Sequence, residues 1–153
     1  MTHIHDLTDE QLRRVIAERL GITVVGVSMD DDNYGLGLYD WTFTRGGDYL
    51  AGVFADTEDE AWLRAWEPSP DCEHTPLPDW PGDERAALRA CMDVARERDM
   101  VLRMYHVFSA DGEFMIAAEL YEDEERSEEY PAYAPTLARA LAELLAAALE
   151  PQP

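Results

Sequence analysis

Apolar residues recur at helical spacing in four segments, and each segment carries its own boundary signals. At the first of them, Thr8 and Gln11 form a capping box, and Gly21 ends the helix after one apolar stripe. Pro135 stands at a position that opens a helix and precedes an Ala/Leu-rich C-terminal stretch. The predicted helices cover residues 8–20, 59–66, about 83–98 and the stretch that begins at Pro135.

Alternation of apolar and polar positions predicts one strand and two hairpins. The strand runs from Ile22 to Ser28, and the first hairpin covers 36–54 around the turn at 45–48. The second hairpin joins 101–108 to 114–121 through an Asp-Gly turn. We therefore expect an α+β protein, with a mostly antiparallel sheet of about five strands and helices packed on it, in a single domain 1–153.

The net charge of −21 indicates which class of partner the protein attracts. Thirty-three Asp and Glu residues stand against 12 Arg, and the chain has no Lys. Nucleic acids and anionic membranes are repelled by such a chain, whereas a basic protein surface is attracted. Two alternatives stay open, since a high-GC coding bias also replaces Lys by Arg, and a halophilic cytoplasm also favours acidic surfaces.

The densest acidic run covers 119–129 and holds seven carboxylates and one Arg. A solvated loop is its simplest interpretation. The functional interpretation is a docking surface for a basic partner, with carboxylates where phosphates would sit and tyrosines as anchors. A second cluster lies at 56–60. The candidate partner-binding residues are Glu119, Tyr121, Glu122, Asp123, Glu124, Glu125, Glu128, Glu129, Tyr130, Tyr133, Asp56, Glu58, Asp59 and Glu60.

Histidines and cysteines give no metal or nucleophile pattern. His3 and His5 have the spacing of a metallohydrolase pair, but the chain is too short for the barrel such enzymes use, and we interpret them as a frayed terminus. Cys72, Cys91 and the remaining histidines lack the paired spacings of structural zinc. We expect Cys91 to pack in a helix core.

The acidic segment Asp30–Asn33 resembles the start of a calcium loop. Tyr34 and Trp41 occupy positions where an EF-hand needs ligands, so we do not predict one, although a loosely held cation at this loop remains open. No phosphate-binding loop or nucleophile elbow is present. The prediction is a non-catalytic protein without cofactor, catalytic or metal-ligating residues.

The termini and cysteine usage favour a cytoplasmic protein. The first residues lack the basic and apolar regions of a signal peptide, and two cysteines are too few for a secreted disulfide framework. Arg139 and Glu143 interrupt the most apolar stretch before it reaches bilayer-spanning length.

The second half has a recognisable order of motifs. Pro76-Leu77-Pro78-Asp79-Trp80 leads into a helix containing Ala86-Ala87-Leu88, two strands follow, and Ala134-Pro135-Thr136-Leu137-Ala138-Arg139-Ala140 opens the last helix. With the first helix, this order resembles the phage ABA sandwich domain family over residues 8–20 and 76–149, and residues 22–66 would be an insertion. The resemblance implies a phage or prophage origin and a layered α/β arrangement, and it carries over no catalytic residue.

Charge and resemblance together predict an acidic phage-type binding protein. It would occupy a basic, nucleic-acid-binding surface of a host protein, as a nucleic-acid mimic or anti-defence inhibitor. A small enzyme, a cation-binding protein and an accessory protein that is acidic only for solubility remain the alternatives.

Overall fold

The structure is a computed structural model and describes residues 3–28, 39–67, 76–122 and 130–150. The chain divides into two compact units: unit 1 comprises Met1–Arg19 and Asp79–Pro153, and unit 2 comprises Leu20–Pro78. A 3₁₀ turn at Ile4–Asp6 comes first. The elements that follow are α1 (Asp9–Arg19), β1 (Ile22–Ser28), β2 (Tyr39–Arg45), β3 (Asp48–Ala55), α2 (Glu58–Ala65), α3 (Glu84–Glu97), β4 (Val101–Phe108), β5 (Phe114–Tyr121), β6 (Tyr130–Ala134) and α4 (Leu137–Ala148).

The predicted α+β class is confirmed, but the arrangement of its strands is not. The described residues form two three-stranded antiparallel sheets, ordered β1-β2-β3 in unit 2 and β4-β5-β6 in unit 1, rather than one sheet of about five strands. Strand β6 escaped prediction because it is short and contains Pro131, which an edge strand tolerates. The single-domain organisation stays a prediction.

Unit 2 is built around aromatic side chains between its sheet and α2. Phe43 on β2 is fully buried and meets Trp62 of α2 edge-on, with ring centroids 4.8 Å apart. Trp66 stacks on Trp62 at 5.6 Å and donates its indole N–H to the Pro78 carbonyl. The opposite sheet face carries the exposed side chains of Val25 and Val27. One face of this sheet therefore forms the core of unit 2.

Unit 1 is organised around α4, which contacts α1, α3, β5 and β6. Leu141, Leu144 and Leu145 are fully buried, and alanines fill most other positions of the helix. Small side chains on the remaining faces let neighbouring elements approach closely, so α4 is enclosed on more sides than its leucine stripe alone would bury. Its one acidic residue, Glu143, consequently lies in the interior.

In the described parts of the chain, no helix combines the length and hydropathy needed to cross a bilayer.

Candidate functional site

Glu143 is a carboxylate buried in unit 1, with only 5% of the residue exposed. Its Oε1 lies 3.0 Å from Nδ1 of His5 and 3.7 Å from Nη2 of Arg139. Its Oε2 is equally buried and has no hydrogen-bond partner among the described residues. Desolvation raises the pKa of Glu143 although Arg139 and His5 both act to lower it. The site therefore contains a carboxyl group with one unsatisfied acceptor.

Arg139, one helical turn before Glu143, holds the N-terminal segment against α4. Its Nη1 donates to Oδ1 of Asp9 at 2.8 Å, and its Nη2 donates to the carbonyl of Leu7 at 2.6 Å. Weaker contacts reach the carbonyls of Ile4 and His5. This fan of hydrogen bonds brings His5 beside Glu143, so the interpretation of His5 as part of a frayed terminus is wrong.

A cleft of about 420 Å³ opens beside these residues. His5 and Glu143 supply charged or polar atoms to its wall, and Tyr133 adds a side chain that is 44% exposed. The rest of the lining is apolar and consists of Ile4, Met115, Ala132 and Ala147. Of these residues, sequence reasoning had singled out only Tyr133 as a candidate site residue. A usable signal was present, because Glu143 is the single carboxylate in an Ala/Leu helix and stands four residues after Arg139.

The acidic residues predicted on β5 take two different positions. Glu119 is buried, and its Oε1 lies 3.0 Å from Nε of Arg103, whose guanidinium lies over the ring of Tyr105. Glu122, just after the strand, is exposed, and Tyr121 is half-buried. Glu119 is thus engaged within unit 1 and does not present its carboxylate to solvent, contrary to what a docking residue requires.

Strand register places three of the predicted residues on one face of the sheet. Tyr133 lies opposite Ala117, so it shares a sheet face with Glu119 and Tyr121. Tyr130 contributes its backbone to β6, opposite Leu120. The other residues predicted here lie outside the described residues; they are Asp123, Glu124, Glu125, Glu128 and Glu129.

The second predicted cluster lies at the start of α2 in unit 2, and we call Asp56, Glu58, Asp59 and Glu60 the α2 acidic cluster. Thr57 caps the helix by accepting from the Glu60 amide at 3.2 Å. Glu60 is half-buried and pairs with Arg64 at 2.6 Å, while the other three carboxylates are exposed. Carboxylates in a first helical turn are stabilised by the helix dipole. The cluster is therefore presented by a capped, regular element.

The residues considered for zinc do not come together in the described structure. Cys91 is fully buried, its thiol donates to the Leu141 carbonyl at 3.3 Å, and burial raises its pKa to about 12. His106 is exposed, with its ring 4.9 Å from that of Phe114. Within the described ranges no three His, Cys, Asp or Glu residues are grouped as metal ligands. Cys72 and the loop Asp30–Asn33 lie outside those ranges.

Comparison with known proteins adds no assignment, since neither a protein-family model nor a curated protein matches the chain. The resemblance to the phage ABA sandwich domain family stays a prediction.

Proposed function

We propose that the protein is a non-catalytic acidic binding protein that occupies a basic, nucleic-acid-binding surface on another protein. The observation that carries this proposal is the α2 acidic cluster, where Asp56, Glu58 and Asp59 are exposed within four residues at the start of a capped helix.

Apolar side chains next to the cluster supply what a stable complex needs besides charge. Phe54 precedes the cluster on β3 and is 45% exposed, and Leu63 of α2 is also exposed. Charges speed association and set orientation, whereas buried aromatic and aliphatic anchors contribute most of the affinity. Carboxylates beside an exposed Phe fit a partner surface that normally binds phosphates and stacks on bases.

Whole-chain charge supports the same partner class. Thirty-three acidic residues against 12 basic ones give a field that attracts basic surfaces and repels nucleic acid itself. In unit 1, Glu122 just after β5 and Tyr133 on β6 are exposed and are candidates for further contacts. Glu119 is left out of the proposed surface because Arg103 engages it. A phage origin, and with it an anti-defence role, rests on the family resemblance alone.

Two charge-matched variants test the proposal. One replaces the exposed carboxylates of the cluster (Asp56→Asn, Glu58→Gln, Asp59→Asn). The other neutralises three exposed carboxylates of α3 in unit 1 (Glu84→Gln, Asp93→Asn, Glu97→Gln). Each tagged protein is incubated with a bacterial lysate at low salt, and bound proteins are eluted with a salt step and identified by mass spectrometry.

The proposal predicts that the wild type and the α3 variant capture the same nucleic-acid-binding protein and that the cluster variant does not. Purified wild type should then displace nucleic acid from that protein in a competition assay. Equal loss of capture in both variants would mean that capture depends on the overall negative charge and not on the α2 acidic cluster. Capture that neither variant weakens, or no displacement of nucleic acid, would refute the proposal.

A further inference from the structure

The cleft beside α4 has the size and lining of a small-molecule site. Its volume is about 420 Å³, and ligand pockets are typically about 300–1,000 Å³ with mostly apolar walls and few polar groups. Ile4, Met115, Ala132 and Ala147 supply such walls. The cleft lies wholly in unit 1, so its role is independent of the α2 acidic cluster in unit 2.

The polar group in this wall lacks a partner that a ligand can supply. Oε1 of Glu143 already faces His5 and Arg139, whereas Oε2 accepts no hydrogen bond from the described residues. A buried acceptor without a donor is costly, and most such atoms in folded proteins are satisfied. An ionised carboxylate has acceptor oxygens only, so the partner that Oε2 lacks is a hydrogen-bond donor.

The charge of the missing donor follows from the surroundings of Glu143. Burial raises the pKa of Glu143 although Arg139 and His5 both act to lower it, so burial opposes the ionised carboxylate even with these neighbours beside it. A cationic donor provides both the hydrogen bond and the missing charge. An anion would meet Glu143 and the net charge of −21, and therefore does not fit.

We propose that this cleft binds a small organic cation, with a primary ammonium group donating to Oε2 of Glu143 and an apolar body lying against Met115 and Ala147. A purely structural role for Glu143 is the competing explanation. Arg139, however, already ties the N-terminal turn to α4 through the Leu7 carbonyl and Asp9, and those bonds do not involve Glu143. The structural role also leaves Oε2 without a partner.

A pair of probes that differ only in the polar head tests the proposal. 2-Phenylethylammonium and 2-phenylethanol have the same apolar body, and only the first carries a charged donor at neutral pH. Binding of each to the full-length protein is measured by NMR shift perturbation and calorimetry. We expect one ammonium per chain, held at least about tenfold tighter than the alcohol, because hydrogen bonds to charged groups exceed neutral ones by this margin.

Three variants assign the binding to the cleft. Glu143→Gln should abolish the preference for the ammonium, and Ala147→Leu, which fills the apolar wall, should weaken both probes. Glu97→Gln removes an exposed carboxylate from α3 and should leave both affinities unchanged. Thermal unfolding verifies that each variant is folded, and Ala147→Leu keeps the test decisive if Glu143→Gln does not fold.

Three results would overturn the proposal. The first is equal affinity for the two probes, or no binding of either. The second is binding that Ala147→Leu leaves unchanged. The third is an equal loss of ammonium affinity in Glu97→Gln and Glu143→Gln, which would indicate diffuse charge attraction.

Discussion

Burial disfavours the ionised form of two side chains in unit 1, with different consequences. The thiol of Cys91 donates to the Leu141 carbonyl, and burial raises its pKa to about 12. The carboxyl of Glu143 has His5 and Arg139 beside it, and burial still raises its pKa. The thiol is therefore chemically inert, whereas the carboxyl keeps an acceptor that can take part in binding.

Cys91 should resist thiol reagents as long as the protein is folded. The thiolate is the reactive species, and burial both disfavours formation of the thiolate and keeps the reagent away from the sulfur. In a Cys72→Ser variant, labelling by a maleimide at neutral pH should be negligible over hours and complete after denaturation. Rapid labelling of the native variant, without accompanying unfolding, would contradict the burial of the Cys91 side chain on α3 against α4.

Glu143 should make the protein less stable as the pH rises. Its folded pKa lies above the ordinary value of 4.5, so its stabilising contribution is complete below that pH and is lost as the pH rises through the folded pKa. Glu143→Gln resembles the protonated form and removes this dependence. The free energy of unfolding of the wild type should thus decline relative to the variant as the pH rises above 4.5.

The matched control for this measurement is Glu97→Gln, because Glu97 is an exposed helical carboxylate. Its stability should run parallel to the wild type over the same pH range. A wild type that gains stability relative to Glu143→Gln on raising the pH would show that His5 and Arg139 outweigh desolvation.

The sequence shows Glu143 as the single carboxylate of a predicted Ala/Leu helix, but it does not show that this side chain is buried. The leucine stripe predicts one buried face, and Glu143 does not belong to it. The other faces of α4 are covered because its small alanine side chains let neighbouring elements approach closely, and because Arg139 holds the N-terminal turn against the helix. That arrangement depends on contacts between residues more than 130 positions apart, which no local pattern encodes.

Element boundaries followed closely from local signals where those signals were strong. The strand 22–28 and the hairpin 101–108 with 114–121 agree with β1, β4 and β5, since β-branched runs and an Asp-Gly turn specify them. The capping box of Thr8 and Gln11 forms as predicted. The division into two sheets could not be predicted, because hairpin patterns do not specify which hairpins pair side by side.

Strand β1 requires a glycine at position 26, because a residue with a side chain would collide with a neighbouring ring. Gly26 lies opposite Trp41, and a Cβ built on it would come within 2.6 Å of the indole ring. That ring is also fixed by its N–H bond to the Ala55 carbonyl at 3.0 Å. The Trp41 ring therefore covers the glycine, as in other strands where an aromatic side chain packs over a neighbouring Gly.

Gly26→Ala should destabilise the protein by about 1–3 kcal/mol, because Trp41 must move and give up its hydrogen bond. Urea unfolding measures the change. Val27→Ala, on the same strand but exposed, should change the free energy of unfolding by less than about 0.5 kcal/mol. A stabilised Gly26→Ala would mean that Trp41 leaves the glycine uncovered.

At the scale of the whole molecule, the net charge of −21 opposes folding by self-repulsion and yet suits association with a basic partner. The two compact cores contain few charged residues; among the described side chains, Glu119 and Glu143 are the buried carboxylates. The repulsion is therefore carried by the surface, where salt screens it.

We expect the protein to be folded without molar salt, which distinguishes functional acidity from halophilic adaptation. At about 0.15 M salt, where the Debye length is about 8 Å, circular dichroism should show the α+β content and one or two cooperative unfolding transitions. Added salt should raise the melting temperature moderately. A chain that folds only near molar salt would support the halophilic alternative.

The salt dependence of the complex formed with the captured partner tests the proposed function most directly. The affinity of purified wild-type protein is measured by calorimetry between about 0.05 M and about 0.5 M salt, a range over which the Debye length falls severalfold below its low-salt value. The account predicts that the dissociation constant rises steeply with salt and that neutralising Asp56, Glu58 and Asp59 flattens the slope. An affinity that salt leaves unchanged would contradict it, because a carboxylate surface that replaces phosphates must weaken as charges are screened.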